Sequence, residues 1–289
     1  MTAEQRARTQ AFLDLHHSDD ILVLPNAWDV ASARVFAASG ARAVGTTSMG
    51  IAAVHGYPDM EQISLDQMLA AVAAIAAAVD VPVTADMEAG YGGSTEAIVA
   101  SVRRAIDCGI AGINIEDSVD DPDEPLIPTA SMAERVSALR QAANTIGLPL
   151  VINARTDVFL AAVGEPETRL AHAIERGNAY RKAGADCVFV PGGLSRDTIR
   201  ELAAAIDAPL NVVANPAISV PVVPTVAELD ELGVARVSVG SGMMRASLAY
   251  TRRAAEELLA SGSYEAMKQE LSDPQAAAAY AMAIGRTSR

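Results

Sequence analysis

The sequence is poor in the side chains that usually announce a metal or redox centre. It has two cysteines, Cys108 and Cys187, which is too few for a disulfide framework or a zinc cluster. Cys187 sits in an apolar run and reads as a small buried hydrophobe. The four histidines, His16, His17, His55 and His172, show no metal-ligand spacing such as H-E-x-x-H. Lysine occurs at two positions, 182 and 268, and aromatic residues make up 4% of the chain. No apolar run reaches 18 residues without a charge or a breaker, so no transmembrane helix is expected. The first twenty residues carry Glu4, Asp14, Asp19 and Asp20 in place of the basic and apolar regions of a signal peptide, which predicts a cytoplasmic protein. Positive charge is also scarce. The net charge of −14 disfavours nucleic acid as a partner, because phosphates demand a basic face.

What is abundant is apolar and periodic. Hydrophobic residues make up 51% of the 289, enough for a large core. Eight β-type runs recur, at 21–27, 41–47, 81–86, 112–116, 150–154, 187–191, 210–214 and 236–240. Most are continuously apolar rather than alternating, as in strands buried on both faces of a parallel sheet. Helical spacing fills the gaps at 64–79, 95–108, 131–146, 167–183, 195–205 and 226–232. Ser64, Ser94 and Ser131 stand as N-caps. Gly40, Gly109, Gly147, Gly184 and Gly233 stand where helices should end. Strand alternating with helix eight times predicts a (β/α)₈ TIM barrel, written as one domain over 1–289. The rival, an open doubly wound sheet, lacks a G-x-G-x-x-G after its first strand. The remaining segment, 246–289, reads as helical and exceeds one closing helix, which suits packing on a neighbouring subunit.

In such barrels the chemistry lies at the C-terminal ends of strands. Neither lysine falls there, which excludes a Schiff-base aldolase. Carboxylates do fall there. The third strand ends in Asp86 and Glu88, the fourth in Glu116 and Asp117, and the fifth in Arg155 and Asp157. One acid at a strand end often merely caps a helix. Acids at three successive ends repel one another unless a cation neutralises them. Oxygen ligands without His or Cys suit Mg²⁺, and a 2-oxo carboxylate chelated to it is poised for enolate-type chemistry.

At these positions the sequence resembles a family. Asp86-Met87-Glu88-Ala89-Gly90-Tyr91-Gly92 is similar to the D-x-D-x-G-[YF]-G segment of the isocitrate lyase/phosphoenolpyruvate mutase superfamily. Ile113-Asn114-Ile115-Glu116-Asp117 resembles its I-E-D strand, and Ala154-Arg155-Thr156-Asp157 its A-R-T-D strand. The segments 24–29 and 56–59 fit as well. The resemblance implies Mg²⁺ (with Mn²⁺ as a substitute), a small carboxylate substrate, and a homo-oligomer, dimer or tetramer, whose eighth helix swaps to a neighbour. It implies Asp86 as the direct metal ligand, with Glu88, Glu116 and Asp59 holding metal-bound waters. Glu88 stands where the family has Asp, with a longer arm. Arg155 should pair with a substrate carboxylate, joined by Thr46, Thr47 and Ser48 of the loop after the second strand and by Asn215 after the seventh. Arg155, Glu116 and Tyr91 are the candidate catalytic residues.

What departs from the family also informs. Its lyases carry a Lys-Lys/Arg-Cys-Gly-His loop after the fourth strand, with the Cys as general acid. Here residues 118–129 contain no Cys, Lys or His. A standard isocitrate or methylisocitrate lyase is therefore not expected. The mutases and phosphonopyruvate hydrolases place Lys and Asn in that loop, also absent. The loop is acidic and Pro-rich and reads either as a solvated loop, in which case Asp121 and Glu124 are surface acids, or as a lid in which one of them replaces the missing acid. The residues support a C–C lyase or decarboxylase of a small 2-oxo or 2-hydroxy acid. The alternatives are phosphonate P–C chemistry and a catalytically silent carboxylate-binding homologue. Val190-Pro191-Gly192-Gly193 offers no charge, which suggests a small or weakly charged distal group on the substrate. His55, Trp28 and the pair Met243-Met244 read as a surface loop residue, a packing residue and core respectively.

Overall fold

The first predicted strand is split. Pro25 has no N–H to donate to a ladder, and it divides the run into β1 (Leu22–Leu24) and β2 (Asn26–Ala27) in the computed structural model, which describes residues 2–217 and 223–285. The strands that follow are β3 (Val44–Thr46), β4 (Val83–Asp86), β5 (Gly112–Glu116), β6 (Val151–Arg155), β7 (Cys187–Phe189), β8 (Leu210–Val213) and β9 (Arg236–Ser238). Neighbours in sequence pair in parallel from β2 round to β9, and β9 pairs with β1 at Leu22↔Arg236. Because β1 and β2 are halves of one run, the ring closes as the expected eight-stranded barrel.

The helices are α1 (Ala3–Leu15), α2 (Val30–Ala38), α3 (Ser48–Val54), α4 (Leu65–Ala77), α5 (Thr95–Asp107), α6 (Thr129–Thr145), α7 (Arg169–Ala183), α8 (Arg196–Ala205), α9 (Val226–Glu231), α10 (Gly242–Ser261), α11 (Glu265–Leu271) and α12 (Pro274–Ala283). The helices expected at 64–79, 95–108, 131–146, 167–183, 195–205 and 226–232 appear as α4 to α9, and α1, α2 and α3 are additional to them. On α5 the buried Ile98, Val102, Ala105 and Ile106 fall on one helical face. Its N-cap is Ser94, whose hydroxyl accepts from the Ala97 amide. Ser64 caps α4 in the same way. Ser131 does not cap α6. That helix begins at Thr129 after Pro128, and Ser131 lies inside its first turn. The proline ring already holds φ at −54° and suits a helix entrance, so the boundary falls two residues earlier. Gly184 ends α7 in the left-handed region at φ 114°, as its predicted role requires.

The N-terminal end of the barrel is stoppered by α1. Its Phe12 is fully buried with Leu22, Leu24, Ala43, Ala111 and Val151. The approach is close enough to demand Gly112, where a Cβ would stand 2.8 Å from the Val151 carbonyl oxygen and 2.9 Å from the Phe12 ring. Trp28 packs edge-on against Phe36, 6.2 Å between centroids. Met244 is buried, but Met243 is 44% exposed and not core, because it lies on the outer face of α10. The predicted helical segment 246–289 continues α10 and adds α11 and α12, its last residues 286–289 lying outside the described ones. Among the described residues, no helix is long and apolar enough to cross a membrane.

Candidate active site

The C-terminal mouth opens into a cavity of about 430 Å³. Of the expected site residues, Thr47, Ser48, Asp59, Asp86, Arg155 and Asn215 line it. Residues 46–48 link β3 to α3, and they are largely committed to holding Asp86. The Ser48 amide and hydroxyl both donate to Asp86 Oδ2, at 3.1 and 3.0 Å. The Asp86 amide in turn donates to Thr46 Oγ1 at 2.9 Å. Thr47 caps α3 by accepting from the Gly50 amide. The donors expected to receive a substrate carboxylate thus instead fix the candidate metal ligand.

Asp86 remains incompletely satisfied. Its Oδ1 is buried and has no hydrogen-bond partner, and the same holds for Asp59 Oδ1. Leaving a buried carboxylate oxygen bare is costly unless a cation or water meets it. Burial, and then repulsion from Asp86, raises the Asp59 pKa. Among the described residues no three His, Cys, Asp or Glu side chains converge on one point. Among the described residues, Asp86 and Asp59 are the carboxylates with a buried, unpartnered oxygen. That donor set fits Mg²⁺, which takes one or two carboxylates and keeps several waters.

Glu88 and Glu116 are engaged elsewhere, behind the cavity wall. Glu88 sits at φ 49°, and its buried side chain is taken up by Tyr91 and Glu61. Its Oε1 accepts from the Tyr91 hydroxyl at 2.5 Å and its Oε2 from the Glu61 amide at 2.6 Å. Burial pushes the Glu88 carboxyl up to about 7. Burial, with the adjacent Glu88, likewise raises the Tyr91 phenol. Glu61, unmarked in the sequence because it sits in an ordinary loop, also accepts from the Tyr91 amide at 2.7 Å. Glu116 Oε2 lies 2.6 Å from Arg155 Nη1, and its Oε1 accepts from Ser118 Oγ at 2.6 Å. Its pKa is raised well above the usual carboxylate range by burial, against the pull of Arg155.

Arg155 is held on two sides. Its Nε and Nη2 donate to the two oxygens of Asp157, at 2.6 and 2.7 Å. Burial alone would weaken its hold on a proton. Asp157 and Glu116 more than offset that and keep it cationic. A guanidinium has five N–H groups, so two remain for a ligand in the cavity after Asp157 and Glu116 are served. Phe189 backs the group at 5.7 Å. Asn215 Oδ1 accepts from the Ala217 amide, which fixes the turn after β8.

The remaining walls contain residues the sequence did not single out. Arg245, from the first turns of α10, reaches the mouth, so its far side is not free of charge as Val190–Gly193 suggested. Asn26 and Asn114 also line the cavity. Asn26 is structural: its amide nitrogen donates to the Thr46 carbonyl, and its oxygen accepts from the Val239 and Gly240 amides. The loop after β5 contributes Ser118, Val119 and Pro125 to the rim. It is drawn together by the Val119 amide donating to the Pro125 carbonyl at 3.0 Å.

Fold and site together define a (β/α)₈-barrel enzyme with a carboxylate-lined mouth and one deeply held arginine. The family model for phosphoenolpyruvate phosphomutase matches residues 12–259, and the chain belongs to that family, within the phosphoenolpyruvate mutase/isocitrate lyase superfamily of Mg²⁺-dependent lyases and mutases. An uncharacterised protein of Mycobacterium tuberculosis H37Rv is 38% identical over 80% of this chain and 82% of its own length. 2,3-Dimethylmalate lyase from Eubacterium barkeri is 32% identical over 61% of each chain. A solved structure from Burkholderia cenocepacia J2315, provisionally described as a lyase/mutase, superimposes with a TM-score of 0.86 at 34% identity, over 92% of this chain and 93% of that one.

Proposed function

We propose that the chain is a Mg²⁺-dependent lyase that cleaves a C–C bond of, or decarboxylates, a small 2-oxo or 2-hydroxy carboxylate through an enolate-type intermediate. The observation that carries this reading is the pairing of two bare buried carboxylate oxygens, on Asp86 and Asp59, with an arginine that has N–H groups to spare, all on one cavity. Asp86 and Asp59 would hold Mg²⁺, with Mn²⁺ as a substitute. When bound, the ion supplies Lewis-acid stabilisation of the negative charge that develops on the substrate's oxo oxygen. Arg155 grips the substrate carboxylate, and Asp157 and Glu116 keep its plane fixed. Ser48 and Thr46 keep Asp86 from rotating. Val119, Pro125, Leu160 and Phe189 give the cavity apolar walls that limit water around the reacting centre.

The related 2,3-dimethylmalate lyase and the oxaloacetate decarboxylase of Rhodopseudomonas palustris, 29% identical over 59% of this chain, support carbon–carbon chemistry. The missing Lys and Asn of the loop after β5 weigh against phosphonate chemistry. The test is a panel of 2-oxo and 2-hydroxy diacids with Mg²⁺, followed for pyruvate and CO₂, beside phosphonopyruvate followed for phosphate. Release of pyruvate or CO₂ that EDTA abolishes is expected. Phosphate released from phosphonopyruvate together with an equivalent of pyruvate, with no pyruvate or CO₂ from any diacid, would contradict the lyase reading, and tight ligand binding with no turnover on any member would favour the silent homologue.

A homo-oligomer is part of the proposal. Leu248, Leu259, Leu271 and Tyr280 leave α10–α12 with an exposed apolar surface of the kind a second copy covers. Light scattering on the purified chain should give a dimer or tetramer, and a monomer at micromolar concentration would contradict it.

A further inference from the structure

We infer that Asn114 is a substrate-binding residue whose side-chain amide donates a hydrogen bond to the 2-oxo carboxylate, and that the buried Arg236 beneath it sets its orientation. This rests on the function proposed above and deepens it.

Asn114 lies in the middle of β5, in register with Asp86 on β4 and Asn153 on β6. Residues in register on adjacent parallel strands stand about 5 Å apart with side chains on the same face. Asn114 therefore borders the candidate metal ligand and lines the same cavity. Its Oδ1 is fully engaged: it accepts from Asn153 Nδ2 at 2.8 Å and from Arg236 Nη2 at 3.2 Å. An arginine can only donate, so the atom facing Arg236 must be the oxygen. The NH₂ group is thereby turned the other way, toward the cavity. Among the described residues it has no protein acceptor, yet unlike Asp86 Oδ1 it is not sealed from solvent. A fixed neutral donor beside a metal-binding carboxylate is placed to meet an anionic oxygen of the ligand.

Arg236 has no simpler explanation. It is fully buried, and among the described residues no carboxylate forms an ion pair with it and its Nε has no partner. Its other contacts are the His16 ring nitrogen at 3.4 Å and the face of Phe12 at 5.9 Å. An unpaired buried cation is destabilising in itself. Fixing Asn114 gives it a role at the site that an apolar residue at that position could not fill.

The test is calorimetric titration of oxalate, a mimic of the enolate of pyruvate, with Mg²⁺ present, into wild type, Asn114→Asp, Asn114→Ala, Arg236→Met and the Asn114→Ala/Arg236→Met double variant. Circular dichroism on each provides the check on folding. Asn114→Asp keeps the shape and removes the NH₂, and should weaken oxalate at least tenfold while Mg²⁺ alone binds no more weakly than to wild type. Arg236→Met should weaken oxalate less. In the double variant it should add nothing beyond Asn114→Ala, because an arginine that acts through Asn114 has nothing left to orient. Oxalate binding within twofold of wild type in both folded Asn114 variants overturns the assignment and leaves the proposed function standing. No oxalate binding to wild type overturns both.

Discussion

Asp86 and Asp117 are both buried carboxylates at the ends of adjacent strands, and they are treated oppositely by their surroundings. Asp117 is saturated. It accepts from the Tyr180 hydroxyl at 2.6 Å, from Arg176 at 2.9 Å and from the Asp157 amide at 3.0 Å. The network ties β5 to β6 and α7 and faces away from the cavity. Asp86 has one oxygen pinned by Ser48 and the other left bare beside a second bare carboxylate. The comparison separates two reasons for burying an acid. A carboxylate whose lone pairs are all answered by protein donors holds the fold together. One that is rigidly held but unanswered is prepared for something the chain does not itself supply.

The largest difference is expected from removing each acid in turn. Asp86→Ala should lower turnover by about a thousandfold or more, since it would remove the proposed metal ligand. The melting temperature should stay level or rise, because an uncompensated charge has gone. Asp117→Ala should do the reverse. It strands Arg176 and Tyr180 and should cost about 3 kcal/mol of stability by urea denaturation, with kcat per folded molecule little changed. Equal loss of stability in the two variants would erase the distinction.

Arg155→Lys sharpens the same point on the cationic side. A lysine keeps the charge but cannot serve Asp157 with two parallel bonds and still offer a fork to the substrate. Oxalate affinity should fall about ten- to a hundredfold, with Mg²⁺ binding unaffected. Retention of full affinity would mean that the substrate carboxylate sits elsewhere.

The smallest expected effect comes from the stoppered end. His16 is lowered to about 3 by burial, then by Arg236 beside it, while its Nδ1 meets the Phe12 carbonyl. Its folded pKa lies below its unfolded value of 6.5, so the unfolded chain binds more protons between those values. Stability should therefore fall as pH drops below 6.5. His16→Gln should remove part of that slope, about 1 kcal/mol per pH unit between pH 6 and 5, seen by comparing urea midpoints. Parallel pH profiles for the two proteins would contradict the burial of a neutral ring.

The barrel was legible because its signal is repetitive. Most strands are apolar runs, and several helices pair a serine cap with a buried stripe, as α4 and α5 do. Non-repeating detail was not legible. Nothing in the run 21–27 but a single proline marks the break into two strands, and α1 has no strong apolar stripe because it presents only Phe12 and a few small contacts to the barrel. At the site, strand-end acids pointed to Asp86, and the ordered motifs brought in Asp59 and Arg155. Sequence could not say that Ser48 would serve Asp86 rather than substrate, or that the longer arm of Glu88 would turn toward Tyr91. Those outcomes depend on side-chain direction across loops. Asn114 and Arg245 went unmarked because neither residue type is unusual where it stands, and their meaning comes from what faces them in space.

The most direct measurement is titration of oxalate into wild type and Asp86→Ala, each with Mg²⁺ and with EDTA. The account predicts binding in the wild type with Mg²⁺ and in none of the other three conditions. Binding that survives EDTA or the loss of Asp86 would contradict it, because the bare carboxylate oxygens would then have no part in holding the ligand.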